Sequence, residues 1–245
     1  MVLREAYDVL PSTQTRAIEL ARQGAPVGSR VVALTQTAGK GRLGHTWTSP
    51  RGGVYLSIIL PPSTATEPLL CLAIGVDLLE RFEARYGAEI QLRWPNDLVH
   101  VLSSGHPAKL AGILADAVAV KDGGQRTVVG IGVNVDTSDD SFPSELRGRA
   151  TSLARISTAH PTVPDVESDV VESVLVVSAE AHDSAARARW IRAARRKLYG
   201  LGLVGTVEDG NRGRISGVGI DGSLELDGAT GLVRVRSGEV TVEVL

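Results

Sequence analysis

Apolar and polar positions alternate strictly over Glu89–Trp94, with Ile90, Leu92 and Trp94 on one face and Glu89, Gln91 and Arg93 on the other. That period predicts a strand, and Pro95 ends it. Compact apolar runs at Val31–Leu34 and Val54–Leu60 predict two more strands, the second stopped by Pro61-Pro62. Leu69, Leu72, Ala73, Val76 and Leu79 recur at helical spacing, so a helix is expected over Thr66–Tyr86 with Gly87 as its stop. An earlier helix, capped by Ser12 or Thr13, runs to about Gln23 before Gly24 and turns Ala17, Leu20 and Ala21 to the core. Asn96-Asp97 turns the chain into Leu98–Leu102, and Ser103–Pro107 reads as a hairpin turn. The alanines of Lys109–Val120 suit a helix, but Gly112 and the short preceding turn favour a strand. A second turn at Lys121–Gln125 then leads into Thr127–Val135. The result is a meander of neighbouring strands backed by helices.

Asp136–Leu153 is loop-like, and Val166–Leu198 is helical with a break near His182-Asp183. The basic end of that segment, from Arg187 to Lys197, is read as a solvated helix face rather than a surface for an acidic partner or nucleic acid. From Gly200 onward the texture changes to short alternating strands at Leu203–Glu208, Arg212–Ile220, Ser223–Leu226, Leu232–Arg236 and Glu239–Val244. This predicts a small β-barrel or sandwich packed on the main domain, hence a division at 1–199 and 200–245.

A length of 245 residues suits one domain with a small appendage. The formal charge of −2 argues against a general nucleic-acid binder, so anion binding must come from a local cluster. The single Cys71 excludes an internal disulfide and a cysteine-based zinc site, and its setting makes it a core residue. No signal peptide opens the chain and no apolar run reaches roughly 18 residues, so a cytoplasmic protein without membrane partners is expected.

The chemistry gathers at Thr35–Ser57, where five glycines, two arginines, a lysine and a histidine lie between two strands. Such a loop brings backbone N–H groups close to a ligand, and its cations favour an anion. Apolar Leu43 and Trp47 have no use on a solvated loop, but they do on one that folds over a ligand. The stretch is neither a Walker A motif nor a GxGxxG fingerprint. Asn96 and Asp97 form either an ordinary turn or a ligand site at a strand end, where Asp97 can bind Mg²⁺ or accept a hydrogen bond. Lys109, opening an apolar strand, either snorkels to solvent or points into an anionic pocket. Gly130 and Gly132 permit close backbone approach or mark a bulge, and Asn134 ends that strand.

In this order, GKGRLGHTWTSP (39–50), RWPND (93–97), KLAGIL (109–114), GIGVNV (130–135) and GIDGSLEL (219–226), with Ser12-Thr13 ahead of them, resemble the biotin–protein ligases. The resemblance covers nearly the whole chain. It implies an α+β fold, a mixed β-sheet backed by helices of the class II synthetase-like type, with a small C-terminal SH3-like β-barrel. It also implies that biotin and Mg-ATP give biotinyl-5′-AMP and pyrophosphate, and that biotin then passes to a lysine of a biotin carboxyl carrier protein. On this resemblance Lys109, Arg42 and Asp97 are catalytic, with Asp97 also toward Mg²⁺. Ser12, Thr13, Gln36 and the backbone near Gly112 hold biotin. Gly39, Lys40, Gly41, Gly44, His45, Trp47, Asn96 and Asn134 complete the ligand-contacting set. A homodimer is compatible with the family. The short stretch before the first helix leaves no room for a DNA-binding module, so no DNA partner is expected. A lipoate–protein ligase is the alternative enzyme, but no RRxSGGGxVxHD-like segment occurs. A non-catalytic biotin- or nucleotide-binding protein is the alternative from another class.

Lys40 and His45 stand where the family usually has arginine. Lys40 keeps charge but loses the planar fork, and His45 substitutes a pH-dependent cation for a permanent one. The His45→Arg variant is expected to differ in ATP KM or in the rate of adenylate release; identical values in both measurements would sink the idea.

Overall fold

The computed structural model describes residues 1–63, 67–121 and 123–244. The helix start expected at Thr66 and Asp122 of the second turn lie outside the described residues. Strands β1 (Arg4–Leu10), β2 (Arg30–Lys40), β3 (Thr46–Ser49), β4 (Gly53–Leu60), β5 (Gln91–Arg93), β6 (Asp97–Val101), β7 (Pro107–Ala119) and β8 (Gln125–Asn134) form one sheet. Its order is β1-β2-β4-β8-β7-β6-β5, with β3 paired to β2. Only β1 and β2 run parallel, joined through α1 (Thr13–Arg22); the β5-to-β8 meander is antiparallel as expected.

Helix α2 (Glu67–Tyr86) lies between β4 and β5, and α3 (Leu153–Ile156), α4 (Val163–Glu180) and α5 (Ser184–Lys197) follow β8, the break between α4 and α5 falling near His182 as the sequence predicts. Each face of the sheet carries its own core. Leu56, Ile58, Val129 and Ile131 pack under α2, α4 and α5, where Val174 and Trp190 are buried. Ile59, Val118 and Val128 pack on the other face under Ala17, Leu20 and Ala21 of α1. Ser12 caps α1, its hydroxyl accepting from the Thr15 N–H at 3.3 Å. Among the described residues no helix is long and apolar enough to cross a membrane.

Three expectations change. The segment before α1 is a strand, which the sequence reading left without structure. The Glu89–Trp94 strand shortens to three residues, although Ile90, Leu92 and Trp94 are buried together as the alternation requires. The C-terminal SH3-like β-barrel is not formed. Strands β9 (Val204–Val207), β10 (Arg212–Val218), β11 (Leu224–Gly228), β12 (Gly231–Val235) and β13 (Val240–Val242) make an open sheet in the order β12-β11-β10-β9-β13, and among the described residues the two edge strands do not pair. Closure requires the edges to meet, and the three-residue β13 gives little ladder to meet with. The apolar face of this sheet is instead covered from outside: Ile215, Val218, Leu224, Leu226 and Val240 pack against Leu69, Leu72, Trp94, Ile191 and Leu198.

The joint between the sheets is polar as well as apolar. The Trp94 indole N–H donates to the Gly222 carbonyl at 2.8 Å, and Arg195 Nε to the Val218 carbonyl at 2.8 Å. Lys197 pairs with Glu83 at 2.5 Å and Arg189 with Glu180 at 2.6 Å, so much of the basic end of α5 is engaged within the fold.

Gly222 has φ +81°, and a Cβ there would lie 2.5 Å from the Leu69 backbone nitrogen. Gly222→Ala therefore meets both a left-handed backbone and a fixed helix end. A loss of about 2–4 kcal/mol is expected in urea unfolding.

Candidate functional site

The site lies on the α1 face of the sheet, at the N-terminus of the helix. Along β8 the residues facing α1 are Val128, Gly130, Gly132 and Asn134, so the apolar side chains stop where the helix stops. Gly132 sits opposite Gly112 of β7, and Gly130 opposite Leu114. In a regular strand Lys109 and Gly112 would point to opposite faces. A register shift between Leu98 and Val99 of β6 places Lys109 opposite Val99 and Ala111 opposite Leu98, leaving buried Leu110 as the extra residue. The bulge turns Lys109 to the same face as Gly112, where its Cε would lie 3.4 Å from a Cβ at Gly112. The result is a cavity of about 370 Å³ with a glycine floor, within the usual range for small-molecule sites.

Its roof is a β-hairpin. The strand expected to end at Leu34 continues to Lys40, and β3 returns antiparallel to it with a register shift between Gln36 and Gly39. The tip carries Arg42 and Leu43; Leu43 takes φ +52°, uncommon for a residue with a Cβ, and is 60% exposed. Trp47 reaches down from β3 onto the floor. A Cβ at Gly132 would lie 2.5 Å from its ring, and one at Gly112 2.9 Å. Only glycines admit the indole at this depth.

Charge gathers between floor and roof. Lys109 Nζ lies 2.8 Å from Asp97 Oδ1 and 5.2 Å from the centroid of the Trp47 ring. Asp97 Oδ1 is buried without an aligned hydrogen bond, so this ion pair leaves acceptor capacity unused. Lys40, Arg42 and His45 line the cavity from the hairpin, and His45 Nε2 is 3.7 Å from Glu239 of the second sheet. At the other end a hydrogen-bonded chain is fixed in advance. Gln36 Oε1 accepts from the Thr13 N–H at 2.8 Å and from its hydroxyl at 3.2 Å, Gln36 Nε2 donates to Ser49 at 2.8 Å, and Ser57 donates to Thr13 at 3.0 Å. Near the hairpin base, burial holds the Tyr55 phenol well above its usual pKa while its hydroxyl donates to the Pro50 carbonyl at 2.7 Å.

Of the site residues read from the sequence, Thr13, Gln36, Lys40, Gly41, Arg42, His45, Trp47, Asn96, Asp97, Lys109, Gly112 and Asn134 line this one cavity. Ser12, Gly39 and Gly44 do not: Ser12 caps α1, Gly39 packs where a Cβ would meet the Trp47 carbonyl at 2.4 Å, and Gly44 turns the hairpin tip at φ +81°. Asn96 and Asn134 donate their amides to the Ile113 and Thr151 carbonyls, at 2.8 and 3.0 Å, and so brace strand ends. The sequence reading missed Gln14, Ser57, Phe142, Leu146, Arg149 and Glu239, all of which line the cavity. Phe142 and Leu146 carried the signal that made Leu43 and Trp47 conspicuous, apolar side chains inside a polar loop.

Gly132→Ala is expected to fold but to push the indole of Trp47 off the floor. Because Trp94 and Trp190 are buried elsewhere, a red shift of tryptophan emission reports that movement.

A protein-family profile described as the biotin/lipoate A/B protein ligase family matches residues 6–136. The chain is 41% identical over 153 residues to the bifunctional ligase/repressor BirA of Bacillus spizizenii, a match covering 61% of this chain and 46% of that protein. The chain thus spans about half the length of that relative. It is 28% identical over 238 residues to a biotin–[acetyl-CoA-carboxylase] ligase of Paracoccus denitrificans, covering 94% of this chain and 96% of that one. In structure it is similar to the biotin protein ligase of Aquifex aeolicus in complex with biotin and ATP, with a TM-score of 0.84, 26% identity and all of both chains covered. With the profile matching more than half of its length, the chain belongs to the biotin/lipoate A/B protein ligase family.

Proposed function

We propose that this chain is an ATP-dependent biotin–protein ligase acting on a lysine of a biotin carboxyl carrier protein. The observation that carries the reading is the placement of Lys109 beside Gly112 and Asp97, on a floor that faces the cationic hairpin across one cavity. The ligands named for the Aquifex aeolicus relative, biotin and ATP, are two anions that such a site can bring together.

In the first step a carboxylate oxygen of biotin forms a bond to the α-phosphorus of ATP, and the bond to pyrophosphate breaks. Charge builds on the phosphoryl oxygens, where Lys109 and Arg42 offset it. The Thr13–Gln36–Ser57 chain holds the neutral end of biotin, and the apolar Trp47 ring covers the tail. Magnesium bound with ATP would lower the charge on the phosphates, and Asp97 would be the side chain to hold it. Asp97, whose Oδ1 lies 2.8 Å from Lys109, is the carboxylate of the cavity floor that would meet such a metal. A metal carried mainly by phosphate and water needs little more. In the second step the acceptor lysine nitrogen attacks the acyl carbon, the carbon–oxygen bond to AMP breaks, and the amine loses its proton. The cationic walls favour the neutral amine that this attack requires. The hairpin roof keeps water from the mixed anhydride meanwhile.

The test is incubation with biotin, lipoate, Mg-ATP, a biotin acceptor domain and a lipoyl domain. A biotin mass shift on the carrier is the expected result. A lipoyl shift would assign the alternative enzyme, and tight ligand binding with neither shift would assign a binding protein. Lys109→Gln is expected to lower adenylate formation by about 10²–10³-fold with thermal stability nearly unchanged.

A further inference from the structure

A second cavity, of about 520 Å³, adjoins the first and shares Arg93, Pro107 and Arg149 with it. It lies between the β6–β7 turn, the turn at 147–149 and the strand end at Thr241–Val244. Arg93, Arg147, Arg149 and His106 line it, and among the described residues no carboxylate side chain does. Among the described residues Arg93, Arg149 and His106 take part in no ion pair, and the carboxylate facing Arg147 is that of Asp140, 3.9 Å away and 96% exposed. Glu243, at the same strand end, is bonded to Arg212 at 2.8 Å. In a chain of net charge −2, Arg93 and Arg149 without an ion pair, beside Arg147 with only an exposed carboxylate near it, make this cleft a place for an anion.

The reaction proposed above supplies one. Its second step brings a lysine, a cation in solution, into a cavity already lined by Lys109, Arg42 and Lys40. Carboxylates flanking that lysine on the acceptor would offset the repulsion if cations beside the entrance received them. We infer that the second cavity receives acidic side chains that flank the target lysine of the acceptor protein. The inference rests on the ligase reading.

The experiment uses the full chain and a biotin carboxyl carrier domain, with His106→Glu, Arg147→Glu and their combination. Neither residue lines the first cavity, so adenylate formation, read as pyrophosphate release in a single turnover without acceptor, is expected to stay at the level of the unaltered protein. The acceptor KM of the double variant is expected to rise about 10-fold at low salt and to converge with the unaltered value as ionic strength increases. Arg147→Lys should retain a low KM. Replacing the carrier's carboxylates nearest the target lysine by amides should abolish the difference between the two proteins. Normal adenylate formation with unchanged acceptor KM overturns the inference alone. A changed ATP KM or pyrophosphate inhibition with unchanged acceptor KM assigns the cleft to a small phosphate anion and also overturns it. If the unaltered protein forms no adenylate from biotin, the ligase reading fails first and the inference with it.

Discussion

The site depends on a stretch of sheet face without side chains. Beyond the N-terminus of α1, β8 exchanges Val128 for Gly130 and Gly132, the regular β7–β8 register sets Gly112 opposite Gly132, and the bulge against β6 turns Lys109 to the same face. An uncovered apolar sheet face would normally be buried by another helix, and a polar one would be solvated. A glycine floor does neither: it exposes backbone and accepts a flat ring at contact distance. Trp47 uses that space, and through it the hairpin acquires a seat on the sheet. The roof is consequently positioned by packing against β7 and β8, in addition to the β2–β3 hydrogen bonds.

The same bulge concentrates charge. Turning Lys109 onto the glycine face puts an ammonium over an indole and against a carboxylate, where both partners disperse its charge. An unpaired cation in such a half-buried place is costly, and a carboxylate paired only once invites a second cation. The arrangement is stable without ligand and receptive to one: an anion can approach Lys109 while Asp97 keeps an unused acceptor site. Lys40, Arg42 and His45 line the cavity from the hairpin, so the basic side chains are divided between its floor and its roof.

Much of this was legible in the residues because the signals were local. Alternation located Ile90, Leu92 and Trp94 in the core, capping located α1, and glycine with arginine between apolar runs marked as a loop the stretch that folds into the hairpin. What escaped was set by tertiary pairing. Nothing local says that β2 continues past Leu34, since the reason is its pairing with β3 across a bulge. The spacing Lys109–Gly112 reads as opposite faces until the register with β6 is known. Glu239 enters the cavity from a different sheet, and no pattern around position 239 encodes that.

The open C-terminal sheet bears on the chemistry for a similar reason. A closed barrel would carry its own core and could be positioned independently of the catalytic sheet. Here the apolar face of the second sheet is completed by Leu69 and Leu72 of α2, Ile191 of α5, and Trp94, which stands one residue before Pro95 and three before Asp97. The Trp94 indole bonds to the Gly222 turn while the adjoining segment bends into the cavity wall. Glu239 and Val240, which also line the cavity, are therefore held at a position fixed by the core of the neighbouring unit. The RWPND segment thereby serves two surfaces at once, with Trp94 joining the sheets and Asp97 holding Lys109. Packing between the sheets and charge placement in the site are coupled through a few consecutive residues.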